Sequence, residues 1–140
     1  YDSGLSILVR KADKDTYKTD KDLKNKIICG QLGTSGAAYA RTIEGTTVKT
    51  FNTMNETYME LRNKGCEAVI GDRPTIAYFM TSNARNKKLF TLQDTILNVE
   101  QFGFIVAKDN KKLLERLDKA FEEAKKDGSY KALLVKWFGQ

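Results

Sequence analysis

At 140 residues, 41% hydrophobic and 30% charged, the chain is the size of one ordinary domain and can bury a core without help from disulfides or a metal. No apolar run approaches the ~18 residues of a membrane span, so the chain reads as soluble, and Tyr1-Asp2-Ser3-Gly4 has neither a basic nor an apolar signal stretch, so any export signal is expected upstream or already removed. The net charge of +6 is spread over lysines interleaved with acids, as in Lys11-Ala12-Asp13-Lys14-Asp15, a solvated-face pattern that argues against a nucleic-acid partner.

In chain order, Gly4–Arg10 reads as a strand, and Thr19 with Asp22 three residues on has the spacing of a helix N-terminus. Lys26–Gly30 is a compact, β-branched apolar run ending in a glycine-rich turn, after which Ala37, Ala38, Ala40 and Ile43 recur at helical spacing. Thr47–Phe51 is a further strand. Thr53-Met54-Asn55-Glu56 is a capping box opening a helix that ends with Gly65 at its C′ position. Glu67–Gly71 is a third βα strand, with Asp72 as a helix cap and Pro74 in the first turn. Lys88–Leu92 and Gln101–Lys108 look extended. In the tail, Leu113, Leu114, Leu117, Ala120, Phe121 and Ala124 form one stripe; Gly128 ends that helix, and Ser129 caps another carrying Leu133 and Trp137. Repeated strand–helix units predict an α/β fold, a mostly parallel sheet with helices on both faces, plus C-terminal helices.

In such sheets ligands bind beyond the carboxyl ends of the strands, which selects the loop Gln31–Gly36 and the residue Asp72. The loop follows a strand and opens a helix. Its N–H groups, the freedom of Gly33 and Gly36, and the Thr34 and Ser35 hydroxyls suit a carboxylate or phosphate, although a plain capped βα turn explains the same residues. Asp72 suits an ammonium group, or else is only a helix cap. Together the two favour a zwitterion, an α-amino acid. No histidine exists to build a catalytic Ser–His or Cys–His pair or to complete a metal site, so neither catalysis, a cofactor nor a metal is expected. Cys29 and Cys66 are two buried thiols or one disulfide; free thiols are the expectation. Tyr58, Tyr78 and Phe79 are read as core.

The ordered set Ser3-Gly4-Leu5, Asp22-Leu23-Lys24-Asn25-Lys26, Gly33-Thr34-Ser35-Gly36, Tyr58-Met59-Glu60-Leu61, Ala68-Val69-Ile70-Gly71-Asp72-Arg73-Pro74, Phe102-Gly103-Phe104, Gly128-Ser129-Tyr130 and Lys136-Trp137-Phe138-Gly139 resembles the polar amino-acid solute-binding proteins of ABC importers, glutamine-binding members above all. The resemblance implies one lobe of a type 2 periplasmic-binding-protein fold. Residues 1–10 are then a first hinge strand, 11–100 the second α/β lobe, 101–108 a return hinge strand, and 109–140 the C-terminal helices of a mostly absent first lobe. It also implies that Thr34, Ser35 and Gly36 touch the ligand α-carboxylate and Asp72 its α-ammonium. Gln31 stands where glutamine binders resemble one another in carrying a lysine, and Gly71 where they carry a histidine. Arg73 either reaches an acidic ligand side chain or is a surface residue before Pro74.

The expected function is therefore delivery of a polar amino acid to a membrane permease of an ABC importer by a partial chain. The rivals are an extracellular sensor domain and a dehydratase-like enzyme on the same scaffold. The expected location is periplasmic or extracellular, with a lipid anchor in a Gram-positive-type host. The tail stripe, lacking its usual partner, is expected either to form a homodimer or to fold back on its own lobe.

Overall fold

A computed structural model of the protein describes residues 2–139, with only the backbone of Asp2. Strand β1 (Asp2–Arg10) leads through two 3-10 turns, Lys11–Asp13 and Asp20–Leu23, into β2 (Ile27–Gln31) and α1 (Ser35–Ala40). There follow β3 (Thr47–Phe51), α2 (Met54–Arg62), β4 (Ala68–Asp72), α3 (Arg73–Ser82), α4 (Ala84–Leu89) and β5 (Phe90–Gln101). The tail is α5 (Lys111–Lys126) and α6 (Ser129–Phe138).

The sheet order is β3-β2-β4-β1-β5. β2 is parallel to β3 and β4, while β1 is antiparallel to both β4 and β5. β2 to β5 thus share one direction and β1 alone runs against them, so the α/β architecture is as read from the sequence but the sheet is mixed. This strand arrangement brings the carboxyl ends of β2, β3, β4 and β5 and the amino end of β1 to one edge.

Period-two alternation explains the two cores. Leu5, Ile7 and Val9 join Ile28, Ala40 and Ile70 on the face covered by α1. Leu8 joins Cys29, Tyr58, Leu61, Val69 and Ile76 on the face covered by α2 and α3. Because β1 is buried from Gly4 to Val9, each large side chain there contributes about 1.5–3 kcal/mol of burial. Arg10 closes the bottom of the sheet, donating from Nη1 to the carbonyls of Leu61 and Cys66 at 3.0 and 2.5 Å and pairing with Asp13 at 2.6 Å.

Local signals held where a side chain satisfies the backbone directly. Thr19 with Asp22 and Thr53 with Glu56 both form capping boxes. They failed where one residue of helix length mattered. α2 stops at Arg62, so the left-handed position falls on Lys64 (φ 64°) and not on Gly65. Gly128 does break the tail, but as the left-handed residue before α6, with Ser129 already inside the helix and no side-chain cap. Lys88 and Leu89, expected to be extended, complete α4, and β5 runs unbroken from Phe90 to Gln101 because it pairs with β1 along its length; Phe102–Ala107 has no regular structure.

Cys29 and Cys66 form a disulfide with Cα atoms 6.0 Å apart, which corrects the expectation of free thiols. The reason is tertiary: β2 and β4 are neighbours, with Cys29 opposite Val69, and Glu67 donates its N–H to the Ile27 carbonyl at 2.9 Å. The two cysteines are therefore carried to the same place. The tail folds back on its own chain. Trp137 lies against Tyr78 of α3 with ring centroids 6.2 Å apart, and Thr81 Oγ1 donates to the Trp137 carbonyl at 3.3 Å. Phe121 meets Tyr130 edge-on at 5.0 Å. An apolar groove of 640 Å³ remains between Phe102–Val106 and the tail helices.

Candidate functional site

At the sheet edge, the loop after β2 and the end of β4 meet because Gly36 has no side chain. A Cβ there would stand 2.6 Å from the Ile70 carbonyl oxygen and 3.0 Å from Gly71 Cα. The start of α1 thus rests directly on the residues that precede Asp72. Gly33 supplies the left-handed turn (φ 77°) that lets the chain enter the helix, and its surroundings are open.

The loop divides its polar groups between structure and solvent. Thr34 is the helix cap: its hydroxyl donates to the Gln31 carbonyl at 2.8 Å and accepts from Ala37 N–H at 3.3 Å. Its proton is spent locally, so Thr34 has no hydroxyl donor left to offer. Gln31 Nε2 donates to the Asn52 carbonyl at 2.9 Å, tying the loop to the turn after β3. Of the first helical N–H groups, those of Thr34, Ala37 and Ala38 are engaged, whereas those of Ser35 and Gly36 have no acceptor among the described residues. Ser35 is exposed. Two adjacent N–H groups with a hydroxyl beside them make a small anion-accepting surface.

Asp72 occupies the N-cap position of α3 but makes no side-chain cap hydrogen bond, and Pro74 sits in the first turn, where its missing N–H costs nothing. Its carboxyl is half-buried and held above the usual carboxylate range, first by burial and then by the charge of Glu100. No lysine or arginine pairs with it among the described residues. Arg73 turns away from the edge: Nη1 donates to Ser6 Oγ at 3.1 Å and to the Gln93 carbonyl at 2.8 Å, and Nη2 lies 4.0 Å from Asp94. Arg73 therefore fastens α3 to β1 and β5.

The structure brings Gln31, Gly33, Thr34, Ser35, Gly36 and Asp72 to one edge. It adds three residues that sequence reasoning did not select: Glu100, Ser3 and Tyr58. Ser3 and Glu100 are paired across β1 and β5. Ser3 Oγ and the Tyr58 hydroxyl are buried without a hydrogen-bond partner among the described residues, and burial, with the charge of Asp72, pushes the Tyr58 hydroxyl well up. Strand register relates Ser3 and Glu100, and the packing of α2 on the sheet brings Tyr58 within reach of the charge of Asp72, so no local motif marks them. Among the described residues no three His, Cys, Asp or Glu side chains converge as a metal site, and no helix is long and apolar enough to cross a membrane.

Known proteins resemble this chain along its whole length. The L-cystine-binding protein TcyJ of Escherichia coli (strain K12) is 33% identical over 138 residues, covering 98% of this chain and 51% of TcyJ. ABC transporter arginine-binding protein 1 of the same strain is 32% identical over 135 residues, covering 92% of this chain and 54% of its own length. A solved structure of an ancestral arginine-binding protein bound to arginine superimposes with a TM-score of 0.76 at 31% identity, covering 99% of this chain and 61% of that one. The chain spans about half the length of the curated relatives it matches. These relatives are solute-binding proteins and not enzymes, and the two curated ones are named for cystine and arginine, not for the glutamine that the motifs suggested. The model of the bacterial extracellular solute-binding proteins, family 3, matches residues 1–140, which implies a periplasmic or extracellular location, and the chain belongs to that family.

Proposed function

We propose that this chain is the second lobe of an amino-acid-binding protein that hands its ligand to the membrane permease of an ABC importer. The ligand is held as a zwitterion. The N–H groups of Ser35 and Gly36, with the Ser35 hydroxyl, receive the α-carboxylate; Asp72 receives the α-ammonium. Thr34 and Gln31 shape the loop, and Gly36 sets its distance from Asp72. By the same reading, residues 1–10 and 101–108 are the crossing segments, 11–100 the lobe, and 109–140 the tail of the other lobe, and binding proceeds by hinge closure.

The observation that carries this reading is that free N–H donors and an uncapped, unpaired carboxylate lie side by side at the strand ends. Relatives named for cystine, arginine and histidine support an amino acid as the ligand. The buried disulfide fits an oxidising, extra-cytoplasmic compartment.

The test is titration with amino acids and their blocked derivatives, followed by NMR, which registers weak as well as tight binding. Free amino acids are expected to shift the amide signals of Ser35 and Gly36. The N-acetyl and α-carboxamide derivatives of the same compounds are expected to bind at least about tenfold more weakly, since each removes one charge-assisted contact. Equal binding of free and N-acetylated ligand would refute the assignment of Asp72.

A further inference from the structure

β1 lies between β4 and β5 and is antiparallel to both. Residues directly opposite each other in such ladders point to the same face. Asp72 is opposite Leu5, and Glu100 is opposite Ser3. Ser3 and Leu5 are two apart on one strand and share a face. The carboxylates of Asp72 and Glu100 therefore rise from one face, on either side of β1, at the edge where the anion-accepting loop also lies. β4 and β5 are two strand spacings apart and Leu5 and Ser3 are two residues apart, so the two Cα atoms stand about 12 Å from each other. One small molecule with two cationic groups spans that gap.

Neither carboxylate is neutralised by a residue among those described. The chain carries 24 Lys and Arg against 18 Asp and Glu, yet no cation pairs with Asp72 or Glu100 among the described residues. Glu100 acts on Asp72 strongly enough to help hold its carboxyl in the protonated direction. Two buried hydroxyls, one on the strand residue opposite Glu100 and one on α2 within reach of the charge of Asp72, also have no partner among the described residues. One is Ser3 Oγ, on the strand between the acids; the other belongs to Tyr58, a residue only 4% exposed, whose hydroxyl responds to the charge of Asp72. Buried polar groups left in this state call for a further partner, such as a ligand or water.

We propose, on the basis of the zwitterion reading above, that Glu100 is a specificity-determining residue of this site and that the ligand is an α-amino acid with a cationic side chain. Such a ligand gives each charge a partner: the N–H donors take its carboxylate, Asp72 its α-ammonium, and Glu100 its side-chain cation. A neutral amino acid leaves Glu100 repelling Asp72 without compensation. An acidic one adds a third negative charge to the same edge.

The full chain is titrated with L-ornithine, L-glutamine and L-glutamate by NMR, as the native protein, as Glu100→Gln and as Asp72→Asn. The native protein is expected to bind ornithine about tenfold or more tightly than glutamine, with glutamate weakest. Glu100→Gln weakens ornithine and brings ornithine and glutamine to within about threefold of each other, and Asp72→Asn weakens both alike. Equal native affinities, or an ornithine preference that survives Glu100→Gln, overturn the role of Glu100 and leave the amino-acid site standing. Failure of every amino acid to bind, or binding indifferent to Asp72→Asn, overturns the site and this inference together. A ligand-free measurement checks the pairing: the Asp72 carboxyl, followed by carbon NMR, titrates at lower pH in Glu100→Gln, and an unchanged midpoint shows that the two acids do not interact.

Discussion

Replacing Asp72 by Asn separates a binding group from a helix cap. A working N-cap lost from α3 would cost about 1 kcal/mol of stability. Here the side chain makes no cap hydrogen bond, and its charge is opposed by burial and by Glu100. Because the carboxyl titrates above its ordinary 3.8 in the folded protein, the ionised form opposes folding at neutral pH. That opposition is fully present above the raised pKa, fades as pH falls from there toward the unfolded value, and is gone below it. Asp72→Asn is therefore expected to leave urea stability at pH 7 unchanged or slightly increased, with the gain vanishing on acidification. Its effect on affinity is larger: removing one charged partner of an ammonium hydrogen bond forfeits about 1.5–3 kcal/mol, or roughly 10- to 150-fold in Kd. In the native protein, affinity should also fall on acidification sooner than for an ordinary surface Asp, because binding needs the ionised carboxylate. Urea denaturation and ligand titration on the same samples read both quantities. A loss of 1 kcal/mol or so in stability with unchanged affinity would mean that Asp72 is a cap and nothing more.

Gly36→Ala places a methyl against the Ile70 carbonyl and Gly71 Cα. The start of α1 must then move, with an expected cost of about 1–3 kcal/mol in urea denaturation and weaker amino-acid binding; native-like stability would show that the approach of α1 to β4 is looser than described. The disulfide closes a loop between residues 37 apart, so Cys29→Ala with Cys66→Ala, or reduction, should lower stability by about 4 kcal/mol. Two reactive thiols in the denatured but unreduced chain would contradict the bond.

The sequence by itself determined the strand–helix units up to β4, the two tail helices and the chemistry of the local motifs, but not β5. Thr53 and Glu56 name the start of α2, Gly33 to Gly36 mark a donor-rich turn, and the residues Gly4–Arg10 read as a strand, because each depends on neighbours a few residues away. Which of two local explanations applied was not legible there. Thr34 and Asp72 both read as cap or ligand contact, and only the folded geometry assigns the cap to Thr34 and leaves Asp72 free. Arg73 beside it is drawn off to Gln93, a residue 20 positions away. The tertiary structure alone decided that β1 runs against its neighbours, that Cys29 meets Cys66, and that Glu100 shares a face with Asp72. Each of these is a matter of strand order and register, which are fixed by how two apolar faces are covered at once and leave no mark on any short stretch of residues.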